Sequence, residues 1–186
     1  MTFDDDDFTL FGVPACQRQD RAALDARWRA LQAKVHPDRF AAEGAAAQRV
    51  AMQWSVRVNE AYQRLKDPLR RAAYLCELRG ATIDAERNTA MPADFLMRQM
   101  HWREALDEAH GAADVQALGD VLSAERDALY ATLERTLDGD GDGGGDGGDG
   151  GRDGGDATAA TSQVRALMFI ERLHSDIERR LETAGH

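Results

Sequence analysis

The chain has 186 residues, room for one medium domain or two small ones, and 43% of them are hydrophobic, enough to build real cores. Its 33 acidic and 23 basic residues give a formal charge of -10, which argues against a nucleic-acid binder, since such proteins concentrate positive charge on one face. Residues 1–75 hold 12 Lys/Arg and 10 Asp/Glu, whereas the remainder holds 11 and 23, so two modules with different partners are expected.

The chain opens on the acidic run Asp4–Asp7, the opposite of the positive start of a secretory or transit peptide. Cys16 and Cys76 are too few for a disulfide framework and have no metal-ligand spacing. No apolar stretch approaches bilayer-spanning length. A cytoplasmic protein in a reducing compartment, without a membrane or nucleic-acid partner, is therefore expected.

Helical periodicity dominates and strand signals are nearly absent, so the fold class is all-α. The segment Phe8–Val13 reads as a short helical turn. A first long helix is predicted from an N-cap at Asp20 to Val35, with Leu24, Trp28, Leu31 and Val35 in one apolar stripe and Arg27 and Lys34 on a basic flank beside it. Pro37 ends it, because proline disfavours α geometry at the preceding residue. A second long helix is predicted over 45–66, with Val50, Trp54, Val58, Ala61 and Leu65 on its core face, closed by Asp67-Pro68. Two such helices joined by a short loop form an antiparallel hairpin. A further helix over 69–78 ends at Gly80, and 79–92 reads as a linker.

Pro92 starts the next helix, about 93–109, followed by helices near 114–137 and 157–183; together they suggest a three-helix bundle. Between the last two lies 138–156, almost wholly Gly and Asp. It has no apolar side chain to bury and repels itself, so it is expected to be a disordered insertion. Asp138, Asp140, Asp142 and Gly143 imitate the start of a calcium loop, but its twelfth position is Asp149 rather than a bidentate Glu, and a tether is the preferred reading.

Two constellations could carry chemistry. His36-Pro37-Asp38 sits at the hairpin tip, where proline stiffens the turn and the flanking side chains project beyond it. Such a tip has no cavity, so it suits docking better than catalysis; the bland alternative is a helix-ending turn with exposed polar residues. On the helix over 93–109, Phe95, Trp102, Leu106 and Ala109 share a core face. Leu96, Met97 and Met100 lie toward the other side, in a row that Glu104 and Glu108 continue. A second apolar patch beside acids reads as a partner surface, or as a second buried stripe if the helix packs between two others. On the last helix Leu167, Ile170, His174, Ile177 and Leu181 form the core arc, and Phe169 lies off it, a candidate interface anchor. His174 reads as a packed histidine rather than a ligand. No catalytic grouping, metal site or cofactor motif is visible, so no enzyme and no cofactor are expected.

HPDRF between two such helices resembles the signature loop of J-domains. The opening FTLFGVPA and the segment NEAYQRLKDPLRRAAYL are similar to the HscB co-chaperones of iron–sulfur cluster biogenesis. That resemblance spans nearly the whole chain except 138–156. It implies a J-domain over 1–78 and a C-terminal scaffold-binding bundle over 93–186. It further implies that His36, Pro37 and Asp38, with Arg39 where many relatives have lysine, contact an HscA/DnaK-type chaperone ATPase and stimulate it. Arg27 and Lys34 would supply electrostatic docking. FLMRQMHWREALDE matches the family pattern, so Leu96, Met97, Met100, Glu104, Glu108 and Phe169 would bind the cluster scaffold IscU. His101 stands on that face where an acid is expected in relatives. The alternative is a general J-domain co-chaperone with a different client; a purely structural helical scaffold is a third reading.

Overall fold

The structure, a computed structural model, describes residues 2–83, 91–139 and 155–184. Every regular element among the described residues is a helix, and they contain no strands. Contacts divide the chain into two compact units, Met1–Leu75 and Cys76–His186.

The first unit contains α1 (Asp7–Phe11), α2 (Arg21–Val35), a 3₁₀ segment (Pro37–Glu43), α3 (Ala45–Lys66) and most of α4 (Pro68–Leu78). Asp6 starts α1 by accepting from the amides of Phe8 and Thr9 at 2.9 and 3.0 Å, and Asp20 caps α2 in the same way. Gly12 ends α1 at φ 62°, a left-handed conformation that favours glycine.

The hairpin is antiparallel. Its register is set by Trp28 Nε1 on Asn59 Oδ1 at 2.9 Å and by Gln32 Nε2 on the same oxygen at 2.6 Å, with Tyr62 donating to Asp25 at 2.7 Å nearer the open end. Leu24, Val35, Val58, Ala61 and Leu65 fill its core with Phe8 and Phe11 of α1. Trp28, Leu31 and Trp54 are only half-buried.

Val50 departs from the expected core face, for it is 49% exposed. The reason is length. α3 has 22 residues and α2 only 15, so α3 overruns its partner by roughly 10 Å at the helical rise per residue. The overrunning turns face the 3₁₀ segment instead, across a groove of about 420 Å³ lined by Val35, Phe40, Val50, Ala51 and Trp54.

The acidic start is built into the unit. Asp7 is wholly buried, and its carboxylate accepts from Arg57 at 2.6 Å and Arg64 at 2.8 Å. Tyr74 of α4 accepts from the Asp7 amide at 3.0 Å, which ties α1, α3 and α4 together.

The second unit is a bundle of α5 (Ala93–Glu108), α6 (Ala112–Asp138) and α7 (Ala157–Ala184). Phe95, Trp102, Val115, Leu122, Ile170, Leu173 and Ile177 form one core, with Leu106, Ala109, Phe169 and Leu181 packed partly against it. Pro92 is the N-cap of α5, with extended ψ of 137°, and not its first helical residue. In the expected linker, Gly80 closes α4 at φ 81°, and Arg79 donates to the Leu137 carbonyl at 2.7 Å, so this stretch begins fastened to α6; residues 84–90 lie outside the described residues.

The insertion expected over 138–156 has ordered ends. Asp138 is the last residue of α6, and Asp156 caps α7 by accepting from the Ala159 amide at 2.8 Å. The Gly155 amide donates to Leu137 O at 3.1 Å, and a Cβ on Gly155 would stand 1.8 Å from the Thr136 carbonyl oxygen, so the backbone approaches too closely for a side chain. Residues 140–154, and with them Asp140, Asp142, Gly143 and Asp149, lie outside the described residues.

Candidate functional site

His36 is the C-cap of α2, held extended at φ -62°, ψ 126° by the proline that follows. Its Nδ1 accepts from the Asp38 amide at 3.3 Å and stands 3.6 Å from Asp38 Oδ2, so the ring caps the 3₁₀ segment. The Asp38 side chain is 91% exposed. The loop thus offers a carboxylate to solvent from a short, proline-stiffened turn.

Arg39 turns the other way. Its Nη1 donates to the Ala33 carbonyl at 2.9 Å, satisfying an orphan acceptor at the end of α2. Phe40 drops into the groove with Trp54. Arg27 and Lys34 are exposed on α2, seven residues and hence about two turns apart, as a basic flank on one side of that helix. The 3₁₀ segment over Pro37–Glu43 was not legible as an element; Phe40, the one large apolar side chain in it, is the signal that could have found it.

On α5 the two faces separate. Phe95 and Trp102 are buried, whereas Leu96, Met97 and Met100 are 42%, 71% and 63% exposed. His101, Glu104 and Glu108 are exposed along the same outer side. Of the two readings of this helix, the geometry gives one buried stripe and one open apolar patch. Phe169 is half-buried and lies at the border: its ring stacks on Trp102 at 6.4 Å and meets Phe95 edge-on at 6.2 Å. Arg103 covers Phe169 from outside, its guanidinium 5.2 Å from the ring centroid. Arg98 bridges from α5 to Glu125 of α6 and lies over Phe95 at 5.2 Å.

His174, Cys76 and Asp25 are engaged within the protein itself. His174 Nε2 is 3.0 Å from Ser123 Oγ and Nδ1 is 3.5 Å from Glu178, a packed histidine with both nitrogens engaged. Burial pushes the Cys76 thiol up to about 11, which makes it an inert core residue. The hydrogen bond from Tyr62 holds the Asp25 carboxyl below its ordinary value. Among the described residues no group of three or more His, Cys, Asp or Glu could hold a metal ion, and no helix is long and apolar enough to cross a membrane.

Known proteins match this geometry and the sequence behind it. A family model described as the HSCB C-terminal oligomerisation domain covers residues 91–178. The Co-chaperone protein HscB homolog of Burkholderia multivorans is 49% identical over 98% of this chain and 97% of its own length. That of Burkholderia pseudomallei is 47% identical over 100% and 99%. Among solved structures, the chaperone HscB from Vibrio cholerae superposes with a TM-score of 0.75 at 32% identity, covering 96% of this chain and 99% of that one. The human co-chaperone protein HscB gives 0.82 at 24% identity over 95% and 82%, a likeness that bears on the fold alone.

The helical hairpin with His-Pro-Asp at its tip, joined in one chain to a three-helix bundle, defines a J-domain co-chaperone. More narrowly, full-length identity near one half places the chain in the HscB family. Membership carries a co-chaperone role in iron–sulfur cluster assembly.

Proposed function

We propose that this protein stimulates ATP hydrolysis by an HscA/DnaK-type chaperone through His36-Pro37-Asp38 and delivers an IscU-type cluster scaffold to it on the outer face of α5. The observation that carries the reading is one chain bearing two unlike exposed surfaces. One is an exposed carboxylate on a stiff loop beside a basic helix flank; the other is an exposed Leu/Met patch continued by Glu104 and Glu108. Holding both partners raises their effective concentration toward each other, which couples the two events without any new contact. The chemistry belongs to the partner ATPase. Asp38 would accept charge-assisted hydrogen bonds from it, and Arg27 and Lys34 would steer the encounter in a salt-sensitive way. Met97 and Met100 suit a client surface because unbranched thioether chains adapt their shape cheaply. The expected setting is the cytoplasm.

Single-turnover ATPase of the cognate chaperone, with and without this protein and the scaffold, tests both halves. Asp38→Asn should reduce the stimulation about tenfold or more, as expected for losing a charged hydrogen bond at a docking surface. Unchanged stimulation would remove the loop from the mechanism. Scaffold pull-down that survives replacement of Leu96, Met97 and Met100 by Ala would leave a general J-domain co-chaperone with another client as the better reading.

A further inference from the structure

The outer face of α5 ends in an electrostatic conflict. Glu104, Asp107 and Glu108 occupy its last turns, and the last turn holds no basic residue of its own. The C-terminus of a helix carries partial negative charge and orphan carbonyls, so anions there are unfavourable and the turn tends to fray. α5 also lacks a side-chain cap at its N-terminus. A helix left to itself under these conditions would hold Glu108 in many places, not one.

The compensation comes from α7. Arg180 sends its two terminal nitrogens to the end of α5: Nη1 donates to the Leu106 carbonyl at 2.5 Å and Nη2 to the Ala109 carbonyl at 2.9 Å. Arg180 is half-buried, with its planar fork matched to two acceptors. The same contact satisfies the Ala109 carbonyl, reinforces the Leu106 carbonyl, which also accepts from the Ala109 amide at 3.4 Å, and brings a positive charge to the negative end of the helix. At the other end of the acidic row Arg98 ties α5 to Glu125 of α6. The last turn, which carries Asp107 and Glu108 and follows directly on Glu104, is therefore held from behind by a residue more than seventy positions away.

We propose that Arg180 is a positioning residue of the α5 docking face, locking the last turn of α5 so that Glu104 and Glu108 meet the partner in a fixed arrangement. This rests on α5 being the scaffold-binding face. Preorganisation raises affinity by removing an ordering cost from the binding step. Its signature is selective coupling: Arg180 matters only through the acids it positions, whereas a residue that merely supports the fold weakens every contact alike.

The test is calorimetric binding of an IscU-type scaffold protein to the full chain and its variants. Arg180→Ala should weaken binding about tenfold, the scale of a lost charged hydrogen bond. Arg180→Lys should fall between, since an ammonium restores charge but not the fork. Combined with Glu104→Ala and Glu108→Ala, Arg180→Ala should add little further loss; combined with Met97→Ala it should add in full. Hydrogen exchange in Arg180→Ala should quicken at the amides of 105–109 and stay unchanged along the α6–α7 seam. Affinity insensitive to Arg180→Ala, or a loss equally large with and without the two glutamates, would overturn the inference while leaving the docking face in place. Scaffold binding untouched by the Leu96, Met97 and Met100 replacements would overturn both.

Discussion

The loop at His36–Asp38 and the outer face of α5 present opposite chemistries and reach them by different routes. The loop is polar and made locally: three adjacent residues, a proline that forbids continuation of α2, and a ring nitrogen that caps the turn it begins. The α5 face is apolar and made globally. Leu96, Met97 and Met100 are exposed because Phe95 and Trp102, on the same helix, are claimed by Phe169 and the α7 core. A charged tip suits fast, salt-sensitive encounter, whereas an apolar face suits longer-lived contact, the division of labour that the proposed function requires.

The contrast can be broken most forcefully from the bundle. Trp102→Ala should destabilise the bundle by about 3–5 kcal/mol, the usual cost of deleting a buried aromatic. It should release α5 while leaving the hairpin intact, seen as fast amide exchange across 93–108 with 21–66 still protected. A hairpin that opened with it would show that the units do not fold separately.

The hairpin has its own point of failure at Asp7. Asp7→Asn leaves Arg57 and Arg64 facing a neutral group at a buried site and should lower stability by about 3 kcal/mol in urea unfolding, at the smaller end of the range because both arginines keep some water. Amide exchange should place that loss in the hairpin.

Acid should weaken the first unit at identifiable places. Burial pushes the Asp6 carboxyl up, but the hydrogen bonds from the Thr9 hydroxyl and from the amides of Thr9 and Phe8 outweigh it and hold it below 3.8. Asp25 is likewise lowered, first by Tyr62 and then by Arg21. Carboxyls depressed in the folded state contribute stability that is fully present above the unfolded value and is lost as the pH falls through the folded one. Exchange protection at the start of α1 and between α2 and α3 should therefore weaken as the pH drops below 3.8, and a hairpin equally protected there would contradict that origin.

The smallest effect on folding sharpens the comparison most. Met97→Ala with Met100→Ala removes side chains that bury little within the chain, so stability should stay within about 0.5 kcal/mol while scaffold binding falls. A large loss of stability would mean that these side chains pack against the protein itself.

Much of this was legible from local chemistry. The bounds of α3 follow from Gly44 before it and Asp67-Pro68 after it, and α2 is bracketed by the Asp20 cap and Pro37. The loop triplet needed only neighbouring residues, and the two apolar stripes of α5 could be read from angular spread, though not which of them stays open. These features depend on interactions within a few residues, where backbone sterics, capping and helical period dominate.

Tertiary structure decided the rest. Val50 lies on a periodic apolar face but opens on a groove, because the mismatch between α2 and α3 lengths is a property of the pair. Arg39 stands beside Asp38 in sequence yet turns back onto Ala33. Asp7 stands in a run of four acids and is the buried anion of the hairpin, and Arg180 of α7 caps another helix. For Asp7 and Arg180 the deciding partners are fifty or more residues away in sequence. A charged side chain is drawn to whichever unsatisfied group the packed chain places within reach, and no local pattern specifies which group that will be.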